Sequence, residues 1–209
     1  MSRLDRRVLI ATGLVAAAAA SPLRALAQQD DYPDNRSKPA PGPGGGDRDH
    51  YTAEEVVHAG SDFLGVTAEA MGGAIERIAK DNGRRPTGYI AGTEGSAAFV
   101  GGVRYGKGVL YLKHQDPREV YWQGPSIGFD WGGNAARNFT LCYNLDEEKD
   151  LYRRFPGVEG SAYLVGGIGV NYQKAEDIVL APMRAGVGLR LGANIGYLAY
   201  SKSRHILPF

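Results

Sequence analysis

The stretch Asn138-Phe139-Thr140-Leu141-Cys142-Tyr143-Asn144-Leu145 decides the fold class. Phe139, Leu141, Tyr143 and Leu145 recur at every second position, with Asn138, Thr140, Cys142 and Asn144 between them. Successive side chains of a strand point to opposite faces, so a period of two marks a β-strand with two unlike faces. The same period governs the last long segment. There Val187, Leu189, Leu191, Ala193, Ile195 and Tyr197 face one way, and Gly188, Arg190, Gly192, Asn194 and Gly196 face the other. Val109-Leu110-Tyr111-Leu112 and residues 162–172 read as further strands. From Thr87 onward such runs return at short intervals with Gly, Asn, Asp and Pro between them, and no helix of comparable length intervenes. That pattern predicts a mainly β chain folded as an antiparallel sandwich or barrel, not a βαβ fold.

Glycine favours the barrel. All but Gly13 of the 30 glycines follow residue 27, many of them within predicted strands: Gly101-Gly102, Gly132-Gly133, Gly166-Gly167, and Gly186, Gly188, Gly192 and Gly196. Glycine inside a strand marks a bulge or a tight bend at a barrel corner, and closure removes exposed edges. Residues 87–209 are therefore expected to form a small barrel, with a coiled sandwich as the alternative. Counting back from Phe209 in steps of two gives Leu207, His205, Ser203 and Ser201, which is no lipid-facing stripe. Several strands also read as only about six residues long against the roughly 9–11 that a membrane barrel needs, so the barrel is read as soluble.

Ahead of the strands, residues 51–86 carry a helical pattern. Thr52 followed by Glu55 is a capping-box spacing, and Val56, Val57, Phe63, Leu64, Met71, Ile75 and Ile78 recur at helical intervals. Gly60 and Gly65 predict a break into two helices, the pair Gly72-Gly73 predicts a close approach to other backbone, and Asn82-Gly83 predicts the stop. Residues 28–50, with Pro33, Pro39, Pro41, Pro43 and Gly44-Gly45-Gly46, contain almost nothing apolar and read as a disordered linker.

Residues 1–27 read as a removable signal peptide: Arg3, Arg6 and Arg7, then an alanine-rich apolar stretch from Val8 to Ala20, then Ala25-Leu26-Ala27. The apolar run is shorter than the roughly 20 residues of a permanent span. Arg6-Arg7-Val8-Leu9-Ile10 resembles the twin-arginine export signal, and a general secretory signal with a chance arginine pair reads equally well. Either way the protein is expected outside the cytoplasm. Removing four arginines and one aspartate with residues 1–27 takes the formal charge from +1 to −2, which argues against nucleic acid as a partner. Cys142 is the sole cysteine, so there is no intrachain disulfide or thiolate metal site, and it reads as a small buried residue.

No motif demands catalysis. GxSxG, the dinucleotide fingerprint and GxxxxGK[ST] are missing, and His50, His58, His114 and His205 are scattered with no HExxH, so no metal or cofactor is expected. Asp116, Glu119, Asp130 and Glu159 are the carboxylates that could pair for glycoside cleavage. More distinctive is the density of polar aromatics in Tyr121-Trp122-Gln123-Gly124-Pro125-Ser126 and Phe129-Asp130-Trp131-Gly132-Gly133, with Arg137 just beyond. Aromatic faces with polar tips suit glycan or amphiphile contact, or they close a barrel end.

The Tyr121–Ser126 string, residues 154–167 (Arg-Phe-Pro-Gly-Val-Glu-Gly-Ser-Ala-Tyr-Leu-Val-Gly-Gly), and Leu180-Ala181-Pro182-Met183-Arg184 through Gly196-Tyr197-Leu198 are similar to signatures of the envelope integrity protein A family. The resemblance runs from about Tyr51 to Phe209. It implies a periplasmic protein of alphaproteobacteria, a small conical antiparallel barrel of about ten strands, and a role in maintaining the envelope, without catalytic residues. The expectation is a non-enzymatic protein that binds a wall glycan or lipid through the barrel mouth or an outer groove. The expected contacts are Arg104, Tyr105, Trp122, Asp130, Trp131, Arg184 and Arg190. A lipid carrier with an apolar interior and a glycan hydrolase are the alternatives.

Overall fold

Thr52 opens the first helix as its spacing requires: its hydroxyl accepts the Glu55 N–H at 3.3 Å, and the Glu55 carboxylate accepts the Thr52 N–H at 2.8 Å. Two of the free donors at the helix start are thereby satisfied. The computed structural model describes residues 49–83, 85–97, 103–125, 136–185 and 196–204. Helix α1 spans Ala53–Leu64 and ends on Gly65 at φ 70, a left-handed conformation that glycine adopts without strain. Helix α2 spans Ala68–Asn82 and stops at Gly83. The break falls after Leu64, and Gly60 stays inside α1. The close approach to other backbone predicted at Gly72-Gly73 is not found, and the tightly packed helix glycine is Gly60, which lies against side chains. A Cβ on Gly60 would lie 2.0 Å from the Met71 methyl, whereas Gly72 has nothing within 4 Å and Gly73 makes only an ordinary 3.4 Å contact.

The strands are β1 (Gly88–Ala97), β2 (Val103–Leu112), β3 (Arg118–Pro125), β4 (Ala136–Tyr143), β5 (Arg154–Pro156), β6 (Tyr163–Val165), β7 (Ile168–Val170), β8 (Gln173–Ala175), β9 (Ile178–Ala185) and β10 (Tyr197–Ser201), with a one-turn helix α3 (Glu148–Leu151) after β4. They form one antiparallel sheet in the order β5-β10-β3-β2-β1-β4-β9-β7-β6, with β8 also on β9. Ten strands and two preceding helices among the described residues match the predicted class. β1 and β2 are ten residues each, longer than the sequence suggested.

Residues 162–172, expected as one strand, are instead two strand pieces with a turn between them. Gly166 and Gly167, at φ 57 and 81, make a two-residue turn between Val165 and its partner Ile168, the left-handed pair that matches a hairpin's twist. β7 and β8 share one register along β9 and are parted at Asn171, opposite Pro182. The Asn171 N–H still donates to the Pro182 carbonyl, but proline has no N–H to return the bond, so the ladder breaks there. An isolated bridge between Gly157 and Gln173 joins the β5 edge to β8, which brings the curled sheet round on itself.

The sheet buries both of its faces. Outside, Tyr89, Tyr111, Phe139, Leu141 and Met183 pack under Val56, Met71, Ile75 and Ile78 of the helices. Tyr89 stacks on Tyr111 at 4.8 Å and on Phe139 at 5.1 Å, and Tyr51 meets its edge at 5.2 Å. Lys113 closes the stack, 2.8 Å from Glu55 and 4.4 Å above the Tyr51 ring. Inside the curl, residues of β10, β5 and α3 meet those of β1, β2, β4 and β9: Ile90, Leu110, Phe155, Leu151, Leu180 and Leu198 are all buried together. Such a cluster forms only if the sheet bends far enough for distant strands to face each other. Among the described residues no helix is long and apolar enough to cross a membrane. The predicted signal peptide and linker residues 28–48 lie outside the described residues.

Candidate functional site

The even-numbered residues of β1, β2, β3 and β4 face the inside of the curl, and their character changes along the strands. At one end stand Ile90, Leu110, Leu112 and Val120. Toward the other end, Glu94, Arg104, Asn138 and Thr140 take over, joined by Arg184 from β9. This is the end at which β1, β3 and β9 finish and β2, β4 and β10 begin, since Ala97 pairs with Val103, Val103 with Pro125, and Asn138 with Arg184.

Glu94 is the centre of the polar end. Arg184 donates to both carboxylate oxygens, Nε to Oε1 at 3.1 Å and Nη2 to Oε2 at 3.2 Å, and its third nitrogen, Nη1, donates to Asn171 Oδ1 at 3.2 Å. Arg104 Nε approaches Oε1 at 3.4 Å. Trp122 Nε1 donates to Oε2 at 2.9 Å, and Asn138 Nδ2 donates to the same oxygen at 3.2 Å. Thr140 fixes that amide by donating to Asn138 Oδ1 at 3.1 Å. Burial alone would push the Glu94 carboxyl up. The charges of Arg184 and Arg104, with the donors of Arg184 and Trp122, outweigh it and hold the group below the usual carboxylate range. Glu94 therefore remains an acceptor-only anion, and a buried anion with this many donors is stable where a bare one would not be.

Glycine makes room for the indole. A Cβ on Gly106 would lie 1.9 Å from Trp122 Cε2, and one on Gly92 would lie 2.6 Å from Cη2. The strand glycines thus do more than permit curvature: two of them form the slot that aims Nε1 at Glu94. Trp122 is 2% exposed, with its ring 5.9 Å from that of Tyr200. This corrects its expected place at a ligand-facing surface, because its one polar atom is already committed to Glu94.

Of the other predicted contacts, Arg104 and Arg184 meet on Glu94. Tyr105 is the next residue along β2 and so lies on the opposite face, in register with Gly95 and Gln123. Asp130, Trp131 and Arg190 lie outside the described residues. Glu119 is held by Lys107 at 3.1 Å and by the Tyr121 hydroxyl, while Asp116 and Glu159 are exposed. Among the described residues no group of His, Cys, Asp and Glu is placed to hold a metal ion. Sequence reasoning missed Glu94. The available signal was one acidic residue on the same strand face as Ile90 and Gly92, in a run otherwise made of small and apolar residues.

The sheet, the two leading helices and the buried Glu94 centre all lie within the span matched by one family model, envelope integrity protein A, over residues 49–209. The chain belongs to that family. A solved relative, described as a β-barrel-like, uncharacterised protein from Brucella abortus, is 49% identical, with a TM-score of 0.70 over 77% of this chain and 99% of that one. None of the functionally curated proteins matches the chain. Family and fold thus agree with the barrel-like reading, and neither describes an enzymatic activity.

Proposed function

We propose that this protein is exported to the periplasm by its first 27 residues and supports the integrity of the cell envelope there, without catalysis, by binding an envelope component at the barrel rim. The family description supports the envelope role, and the sequence of residues 1–27 supports the export. The observation that carries the binding reading is the placement of the polar cluster. Two arginines, 22% and 17% exposed, sit at one end of the curl, away from the apolar residues Ile90, Leu110, Leu112 and Val120 at the other. A purely structural interior gains little from charges that must be desolvated and then paired. A lipid carrier fits less well. The interior away from the rim is taken up by Ile90, Leu110, Phe155, Leu151, Leu180 and Tyr200, all buried among one another. The glycan hydrolase reading loses ground too, because the best-placed carboxylate, Glu94, is tied to four side chains and held ionised.

The test is complementation of a deletion strain under detergent stress, combined with fractionation. Wild-type protein is expected in the periplasmic fraction with a new N-terminus after Ala27. Arg104→Gln is expected to accumulate there as a folded protein that rescues poorly. Full rescue by that folded variant would remove the rim from the function, and retention in the cytoplasm would remove the export reading.

A further inference from the structure

The sheet has two ends, β5 and β6, each a strand of three residues, and they are built differently. At the β5 end the exposed residues are Arg154 and Pro156, and the Gly157–Gln173 bridge carries the chain across to β8. Charge, proline and closure are means by which an edge avoids further pairing. The β6 end, Tyr163-Leu164-Val165, has none of them, and its residues all favour strands. A two-residue turn closes on a hydrogen-bonded pair, here Val165 and Ile168, and such pairs alternate along the ladder. Val165 and Tyr163 therefore spend their N–H and C=O groups on β7, and those of Leu164 point off the sheet. No other hydrogen bond within the chain reaches them. The Leu164 side chain, on the inner face, is 53% exposed, because its partner across the ladder is Gly169, which gives it nothing to pack on.

The outer side of the same edge carries a charge. Tyr163 and Val165 pack toward α2, where Gly73 and Ala70 lie over Val165 and Gly166 and leave the edge uncovered. Arg77 is exposed, stands 5.6 Å over the Tyr163 ring, and makes no other polar contact within the chain. The nearby carboxylates of α2 are engaged elsewhere: Glu76 with Lys80 at 3.5 Å, and Asp81 as acceptor of the Tyr172 hydroxyl at 3.1 Å. We infer that β6 takes an extended segment of a partner protein as an added antiparallel strand, apolar opposite Leu164 and acidic at the neighbouring positions beside Arg77. Only a strand offers a donor and an acceptor together to the Leu164 backbone, and alternation puts its apolar residue on the inner face and its flanking residues on the side of Arg77. Nothing in this reading depends on what the rim binds.

The experiment titrates the mature chain, by NMR, with a capped hexapeptide of alternating valine and glutamate. A valine–lysine hexapeptide and a valine–glutamate hexapeptide N-methylated at its central valine are run beside it. The expected result is saturable binding of the first peptide at millimolar concentration, with the Leu164 N–H resonance moving downfield and little or no binding of the other two. Arg77→Gln should weaken the binding about fivefold, the upper end for an exposed ion pair. Leu164→Pro, which removes the donor, should abolish it, and the N-methylated peptide makes the same test on the folded wild-type protein. No binding of the valine–glutamate peptide, binding that leaves the Leu164 resonance in place, or equal binding of the N-methylated peptide overturns strand addition. Equal binding of the valine–lysine peptide overturns the acidic partner. Sedimentation of the mature chain alone as a dimer that Leu164→Lys dissociates replaces the partner protein with a second copy.

Discussion

Gly106→Ala is the smallest change that tests how the interior is built. The added methyl would sit 1.9 Å from Trp122 Cε2, 2.2 Å from Nε1 and 2.3 Å from Cζ2, all atoms of one rigid ring system. Toward β1 the indole already lies close over Gly92, where an added Cβ would sit 2.6 Å from Cη2. Relief therefore requires either a shift of β2 or a rotation of Trp122 that takes Nε1 off Glu94. Overpacking of this kind costs about 1–3 kcal/mol, and losing a buried hydrogen bond to a charged group costs about 1.5–3 kcal/mol. Where the ring rotates both apply, about 2.5–6 kcal/mol together, a large part of the roughly 5–15 kcal/mol that holds a domain folded. For a domain of this size that is a fall in Tm of about 5–24 °C. Thermal melting followed by circular dichroism and tryptophan fluorescence measures it. Gly95→Ala is the control: nothing lies within 4 Å of its added Cβ, so stability should change by no more than about 0.5 kcal/mol. Replacing Trp122 with Phe removes the atoms that collide, so Gly106→Ala should cost far less in the Trp122→Phe background than in the wild type. A Gly106→Ala protein melting within about 2 °C of wild type, or strict additivity with Trp122→Phe, would refute the slot.

Glu94→Gln is expected to destabilise by about 3–5 kcal/mol, because it leaves two arginines partly buried without their counter-charge. The same residue sets an acid limb: its folded pKa lies below the unfolded value of about 4.3, so its stabilisation is complete above about pH 5 and is lost as pH falls through the folded pKa. Tm measured from neutral pH downward should drop more steeply for wild type than for Glu94→Gln, and parallel curves would count against an ionised Glu94. Cys142 is fully buried and burial pushes its thiol well above the ordinary range, so a thiol reagent should label it only in denaturant. Stoichiometric labelling of the folded protein within minutes would contradict that burial.

Much of the fold was legible because its signals are local. Thr52 and Glu55 lie three residues apart, and the cap they form needs nothing else from the chain. The alternation through residues 138–145 survives as β4, since strand geometry imposes a period of two on any sequence with two unlike faces. What the two faces meet was not legible. Phe139, Leu141 and Tyr143 lie under the helices, whereas Asn138, Thr140 and Cys142 line the inside of the curl, so the polar side of β4 is buried as thoroughly as the apolar side. Periodicity reports that two environments differ, not that one of them is water.

The candidate site divides in the same way. Arg104, Trp122 and Arg184 stood out in the sequence through residue type, but their meeting point did not. Glu94 lies 28 residues from Trp122, 44 from Asn138 and 90 from Arg184, and no spacing rule reaches across such distances. By itself the sequence determined what segments do alone: helix, strand and cap, and the family those strings resemble. Only the tertiary structure decided which carboxylate gathers the arginines and that Trp122 points inward. It also decided that Gly92 and Gly106 are absences of side chain required by an indole on a neighbouring strand. The reason is physical: local conformation follows from interactions within a few residues, whereas the partner of a buried charge is set by register and curl, which exist only once all the strands are in place.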